Sequence, residues 1–263
     1  MPLHRARRRF SQNFLVDRNV IDRIVRAVDP KPGEHLLEIG PGFGALTAPL
    51  LERALTLQAV EVDRDAVRAL QERFPADRLH VHCGDALKLD FASFGTGLRI
   101  VGNLPYHVST PLLFRIDTAS RSVRDCHFML QKEVVDRMAA APDTHDYGRL
   151  SVMLQYRWRI EPLFEVGPGS FRPQPKVWST VVRMLPYAEP PHRAKDEAMF
   201  ARVVTAAFGK RRKTLRNALR EYLSEADLSG IGIDPQLRAE TLGVEQFVRA
   251  ADACLARLSV SSE

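Results

Sequence analysis

The sequence predicts an α/β protein: a doubly wound, Rossmann-like sheet followed by a small C-terminal α-helical domain. Three observations carry that prediction. Short apolar runs alternate with helical patterns up to about residue 185, and such alternation implies a mostly parallel sheet. A glycine-rich turn, Gly40-Pro41-Gly42-Phe43-Gly44, separates the first strand-like run from the helix after it. Beyond a proline-rich stretch at 186–191, only helical periodicity remains.

The elements follow in order. Residues 17–28 read as a helix, with Asp17 as N-cap and Val20, Ile21, Ile24, Val25 and Val28 at helical spacing. Pro30, Pro32 and Gly33 end it. His35 to Ile39 is a buried strand, and after the glycine turn a helix runs through Leu46, Leu50 and Leu51. Leu57 to Val62 is the second strand and Asp65 to Phe74 the next helix. Leu79 to Cys83 and Leu98 to Gly102 are strands three and four. Thr110 to Ile116 is helical, Asp125 to Leu130 is strand five, and a helix covers Lys132 to Ala140. Trp158 to Val166 and Val177 to Leu185 alternate enough to be antiparallel edge strands. The linker places the domain boundary at 188, dividing the chain into 1–188 and 189–263. In the second part, Met199/Val203/Ala206, Leu215/Leu219/Tyr222 and Phe247/Ala251/Leu255/Leu258 form apolar stripes.

The chain has 263 residues, 45% of them hydrophobic, enough for a large domain with a satellite. No apolar run approaches the roughly 18 residues of a membrane span. The arginine-rich start has no apolar stretch behind it and is not a secretory signal, so a cytoplasmic protein is expected. Cys83, Cys126 and Cys254 lack zinc or disulfide spacing and are expected to be reduced and buried. Charge is concentrated. Residues 1–28 carry seven Arg, Arg8 and Arg9 among them, against Asp17 and Asp22, a net +5. Residues 208–223 carry Lys210, Arg211, Arg212, Lys213, Arg216 and Arg220 against Glu221, another +5, which leaves the rest of the +6 chain at −4. Two basic segments on a slightly acidic body suggest a polyanionic partner. Arg212, Arg216 and Arg220 recur at i, i+4 and i+8, the spacing of one helical face that can follow phosphates.

The turn at Gly40 lies where open α/β sheets bind ligands, at the carboxyl end of a strand. Its spacing is G-x-G-x-G, not the G-x-G-x-x-G of pyrophosphate sites. S-adenosylmethionine (SAM) has no phosphate to cradle, so such a turn suits it. Glu61 ends the second strand and can accept both ribose hydroxyls; a nicotinamide enzyme would also place an acid there. Asp85, after the third strand, either accepts from the cofactor's adenine amine or caps a turn.

Asn103-Leu104-Pro105-Tyr106 ends the fourth strand. An exocyclic adenine amine is a poor nucleophile because its lone pair is delocalised into the ring. The Asn103 side-chain carbonyl and the Leu104 backbone carbonyl can accept its N–H groups and favour a pyramidal nitrogen. Pro105 stiffens the turn, and Tyr106 offers a ring face to an extruded base. Neither a metal nor an obligatory general base is required; positioning is the main task.

With these motifs the chain resembles the KsgA/RsmA-type ribosomal RNA small-subunit (16S) adenine N6,N6-dimethyltransferases, over roughly residues 7 to 258. The matching segments are Arg9-Phe10-Ser11-Gln12-Asn13-Phe14-Leu15, Glu38-Ile39-Gly40-Pro41-Gly42, Glu61-Val62-Asp63 and Asn103-Leu104-Pro105-Tyr106. They continue with Phe128-Met129-Leu130-Gln131-Lys132-Glu133-Val134, Tyr147-Gly148-Arg149-Leu150-Ser151-Val152, Phe171-Arg172-Pro173-Gln174-Pro175-Lys176-Val177 and Lys210-Arg211-Arg212-Lys213-Thr214.

The resemblance implies a class I SAM-dependent methyltransferase sheet. It implies that Asn13 and Leu15 fold over the cofactor, that Gly40, Gly42, Glu61, Asp85 and Asn103 complete its site, and that Phe171 adds a second aromatic surface near the target. The implied substrate is a pair of adjacent adenines in a hairpin loop near the 3′ end of small-subunit rRNA, dimethylated during late ribosome biogenesis. The small ribosomal subunit is then the partner and a monomer the expected state. The chain departs from the family pattern at His107, Val108, Gln174 and Trp178. Alternative readings are an Erm-type enzyme acting on large-subunit rRNA, a DNA adenine methyltransferase, and a non-catalytic assembly factor.

Overall fold

The computed structural model describes residues 13–209 and 212–260. Arg8, Arg9, Lys210 and Arg211, and the side chain of Leu258, lie outside the described set. In chain order the elements are β1 (Phe14–Leu15), α1 (Arg18–Val28), β2 (Leu36–Ile39), α2 (Thr47–Ala54), β3 (Leu57–Glu61), α3 (Arg64–Arg73), β4 (Leu79–Cys83) and β5 (Leu98–Asn103). Next come α4 (Ser109–Asp117), β6 (Val123–Gln131), α5 (Lys132–Ala139), α6 (Arg149–Gln155), β7 (Trp158–Val166), β8 (Phe171–Arg172) and β9 (Ser179–Pro186). The helices α7 (Glu197–Phe208), α8 (Leu215–Ala218), α9 (Glu225–Gly230) and α10 (Val244–Val260) follow.

The seven-stranded sheet has the order β4-β3-β2-β5-β6-β9-β7. Strands β2 to β6 pair in parallel; β2, β3, β5 and β6 are buried almost throughout, as a sheet covered on both faces requires, while the edge strand β4 is largely exposed. Reversal of strand order beside β2 puts the carboxyl ends of β2 and β5 at the switch point where such sheets bind ligands. Asp17 caps α1, its carboxylate accepting from Asn19 N at 3.0 Å. At the other end of the strands the buried Arg99 guanidinium meets Asp125 at 3.0 Å and ties β5 to β6.

One expectation for the late strands needs correction. β9 is not an edge strand: it lies between β6 and β7, antiparallel to β6, with Ser179 opposite Gln131. Val181, Val182 and Met184 are all buried, so both faces of β9 are covered, as an interior strand demands. The sequence reading also passed over α6, whose Leu150, Val152 and Leu154 recur with the period of a strand although they wind as a helix.

The chain forms two compact units, one of the described residues through Val135 with Ile160–Pro186, the other of Asp136–Arg159 with the described residues from Tyr187 onward. The division expected at 188 was continuous; the observed one is not. Residues Tyr147, Val152 and Tyr156 share a core with Phe200, Val203, Leu215 and Phe247. Tyr156 stacks on Phe200 at 4.4 Å, and the Tyr147 hydroxyl donates to the Leu242 carbonyl at 2.8 Å.

In this helical unit α8 spans four residues, so Arg212, Arg216 and Arg220 do not share a helical face. Thr214, extended, immediately precedes α8 and the chain leaves it at Leu219, which puts Arg212 and Arg220 in turns. Cys126 and Cys254 are buried and Cys83 is exposed, contrary to expectation, because it ends the edge strand β4.

Candidate active site

β2 ends at Ile39, and the chain must turn at once into α2. Gly40 and Gly42 make that turn with φ of +67° and +54°, values that side-chain-bearing residues rarely adopt. A Cβ at Gly42 would come within 3.2 Å of the Phe14 ring, so the glycine also permits β1 to close over the turn. Phe14 and Phe43 sit with ring centroids 5.4 Å apart.

Two carboxylates brace the turn from below. Glu38 is 2% exposed and accepts from the Thr47 hydroxyl at 2.6 Å, joining β2 to the first residue of α2. Burial raises its pKa to about 7, opposed by the Thr47 bond and assisted by the charge of Glu61. Glu61 Oε2 accepts from Gly42 N at 3.0 Å, and Oε1 accepts from Val62 N and Asp63 N, each at 2.9 Å. Its pKa is also raised by burial, with the three N–H donors pulling the other way. A carboxylate has about four acceptor positions, so one remains for a ribose hydroxyl without displacing Gly42 N.

Asp85 Oδ1 accepts from Leu87 N at 3.0 Å and caps the short 3-10 turn at 86–88. Capping is therefore part of its role, and Oδ2 has no protein partner among the described residues. Leu15 pairs with Phe171 across β1 and β8.

At the end of β5, Asn103 Nδ2 donates to the Asn13 carbonyl at 3.2 Å. Leu104 N donates to the Met129 carbonyl at 3.2 Å, and Val108 N closes a turn on the Pro105 carbonyl at 3.1 Å. The Tyr106 hydroxyl lies 3.1 Å from Ser179 Oγ, on a serine that is 1% exposed. β5 and β9 thus hold the two ends of the tetrapeptide's functional part.

These residues meet around one cleft of about 970 Å³. Asn13, Leu15, Gly40, Gly42, Glu61, Asp85, Asn103, Leu104, Pro105 and Tyr106 all line it. Phe171 does not: it is 1% exposed and packs with Leu15, Val166 and Val181 in the core. The expected second aromatic surface is therefore replaced at the cleft by Arg172 and Pro173. Sequence reasoning also missed Phe14 and Phe43 as walls, Thr47 as the partner of Glu38, and Ser179. The signal for Ser179 was a small polar residue opening an apolar strand. Of the departures, His107 lines the cleft and is exposed, Val108 lines it half-buried, and Gln174 and Trp178 are exposed.

SAM fits this donor set. The glycine turn leaves its backbone open to close approach, the buried Glu61 lines the cleft with an acceptor position to spare, and the cleft walls are largely apolar. Among the described residues no group of three His, Cys, Asp or Glu is arranged to hold a metal, and no helix is long and apolar enough to cross a membrane. In the helical unit Arg212, Lys213, Arg216 and Arg220 are exposed; Arg216 meets Glu225 at 3.4 Å.

Comparison with known proteins gives a consistent picture. The family described as "Ribosomal RNA adenine dimethylase" matches residues 3–254. The "Ribosomal RNA small subunit methyltransferase A" of Aromatoleum aromaticum is 60% identical over 248 residues, 94% of each chain. The protein of the same description from Thiobacillus denitrificans is 55% identical, over 93% of this chain and 96% of its own. Among solved structures, a dimethyladenosine transferase from Plasmodium falciparum shares the fold with a TM-score of 0.77 at 22% identity, covering 95% of this chain and 98% of that one. The 23S rRNA methyltransferase ErmE has a TM-score of 0.71 at 26% identity, covering 92% and 99%.

Proposed function

Because the chain belongs to the ribosomal RNA adenine dimethylase family, we propose that it uses SAM to dimethylate the N6 amino groups of two adjacent adenines in a hairpin loop near the 3′ end of 16S rRNA, late in small-subunit biogenesis. Relatives at 55% and 60% identity carry the small-subunit description, which favours that substrate over the large-subunit rRNA of the more distant ErmE. A cytoplasmic monomer is the working form.

One observation carries the chemistry: Asn103 has its amide nitrogen committed to the Asn13 carbonyl, so Oδ1 is the atom left to accept from the substrate. When bound, SAM supplies an electrophilic methyl group on a sulfonium that departs as a neutral thioether. The chain does the rest by placement. Asn13, Leu15, Gly40, Gly42, Glu61 and Asp85 hold the cofactor, and Tyr106 stacks on the extruded adenine.

Asn103 Oδ1 and the Leu104 carbonyl accept hydrogen bonds from the two N6–H groups, turning the nitrogen lone pair out of the ring plane and toward the methyl carbon. As the new N–C bond forms, the alkylated amine becomes cationic and loses its surplus proton to water. The monomethylated amine keeps one N–H, so one of the two acceptors still orients it for the second transfer.

Exposed Arg212, Lys213 and Arg220, together with Arg216 and with Arg8, Arg9, Lys210 and Arg211 outside the described residues, supply affinity for RNA phosphates. The test is transfer of labelled methyl from SAM to small subunits lacking the modification, with mass spectrometry of digested rRNA. N6,N6-dimethyladenine at two adjacent positions, lost in Asn103→Ala, is the expected result. Tight subunit binding without transfer would instead favour an assembly factor.

A further inference from the structure

The chain has two tryptophans, and their surroundings are opposite: Trp158 is fully buried, whereas Trp178 is 53% exposed. Trp178 immediately precedes β9. Its backbone carbonyl accepts from Lys132 N at 2.9 Å, which fixes it beside the carboxyl end of β6. That is the end of the sheet at which β5 delivers Asn103, and Ser179, the next residue, meets the Tyr106 hydroxyl.

The indole is anchored but uncovered. Its six-membered ring lies over Gly167, where a Cβ would come 3.6 Å from Cη2. Two cations come shortly before Trp178 in the chain. Lys176 is exposed on the connection between β8 and β9, and Arg172, also exposed, ends β8 just before it. The Arg172 guanidinium donates to the Gly169 and Phe171 carbonyls, so no carboxylate among the described residues neutralises it. Lys132 is paired with Glu165 at 3.1 Å.

A pre-held, solvent-facing π surface beside unneutralised cations is the chemistry that recognises single-stranded nucleic acid. Extruding one base from a loop also leaves its neighbour without a stacking partner. We propose that Trp178 is a stacking platform for a nucleotide flanking the target adenine, with Lys176 and Arg172 meeting the adjoining phosphates. The inference rests on the reading that the substrate is an RNA loop.

The test uses the full chain and a hairpin RNA whose loop carries two adjacent adenines. Trp158 is shielded, so quenching of tryptophan emission reports on Trp178. Quenching is expected in the unsubstituted protein and not in Trp178→Phe. With unmodified small subunits, Trp178→Ala should raise KM roughly ten-fold at unchanged SAM affinity, and Trp178→Phe should restore most of the loss while Trp178→Leu does not. Hairpin binding without quenching would overturn the proposal. So would full rescue by leucine, which would mark an apolar contact with a ribosomal protein. The quench is read without catalysis, so it decides the stacking even where no methyl group is transferred.

Discussion

The side-chain amide of Asn103 is oriented by the backbone carbonyl of Asn13, 90 residues earlier in the chain, through a 3.2 Å hydrogen bond. An asparagine amide can be turned either way at little cost unless one end is tied. Here the tie leaves the acceptor end for the substrate amine. Asn103→Ala should lower single-turnover methyl transfer about 100-fold, a typical effect for one preorganised polar group, while SAM affinity measured by calorimetry changes much less. Equal loss of both would mean that Asn103 serves only the cofactor.

Ser179 holds the Tyr106 hydroxyl from β9. Ser179→Ala removes that hold and leaves the ring with added freedom. A net hydrogen bond contributes about 1 kcal/mol, so kcat/KM on unmodified subunits should fall roughly five-fold and the melting temperature by no more than about 2–4 °C. A Ser179→Thr variant keeps the hydroxyl and should recover most of the activity.

Gly42 carries φ of +54° with the Phe14 ring 3.2 Å from where a Cβ would be. Gly42→Ala therefore meets both backbone strain of about 1–2 kcal/mol and a clash with β1. SAM affinity should weaken by about ten-fold or more, read by calorimetry. Unchanged affinity would show that β1 is not part of the cofactor site.

Glu38 provides the pH prediction. Its folded pKa, about 7, lies above the ordinary 4.5, so between those values the folded state binds more protons than the unfolded one. Stability therefore falls as pH rises from about 4.5 to 7 and levels off above that, by roughly 3 kcal/mol at most from this group. Glu38→Gln keeps an acceptor for Thr47 and has no charge to bury. Urea unfolding at pH 5 and pH 8 should show the loss in the unsubstituted protein and a much smaller one in Glu38→Gln.

Arg216 is paired with Glu225, whereas exposed Arg212, Lys213 and Arg220 have no ion pair shown among the described residues. Replacing all three with Gln should weaken subunit binding at low salt and flatten its dependence on salt concentration by up to about 0.7–0.9 in log–log slope per lost phosphate contact. SAM binding should be unaffected. An unchanged slope in filter binding would place the phosphate grip elsewhere.

The parallel strands were legible because they are short apolar runs punctuated by Gly, Pro and Asp, and the glycine turn because residues other than glycine rarely adopt its φ values. What escaped depended on partners distant in sequence. Nothing local to Phe171 shows that β8 pairs with β1 and turns its ring into the core. Helical spacing from Arg212 to Arg220 assumed a helix that Leu215–Ala218 is too short to supply. Leu150, Val152 and Leu154 read with a strand's period until packing on the C-terminal helices is known. Glu38 and Ser179 were visible as letters, but their roles come from Thr47 and Tyr106, residues on other elements.

The helical unit is assembled from two stretches of chain separated by β7, β8 and β9. During synthesis the ribosome finishes the last strand of the sheet at Pro186 while Tyr147, Val152 and Tyr156 still lack Phe200, Val203, Leu215 and Phe247. The Tyr147 hydroxyl waits as well, since its acceptor is the carbonyl of Leu242, 95 residues downstream. The sheet can thus close co-translationally, whereas the early-made segment 136–159 keeps its apolar side chains uncovered until nearly the whole chain has emerged. A stalled or prematurely terminated product would carry a finished sheet and an uncovered aromatic cluster.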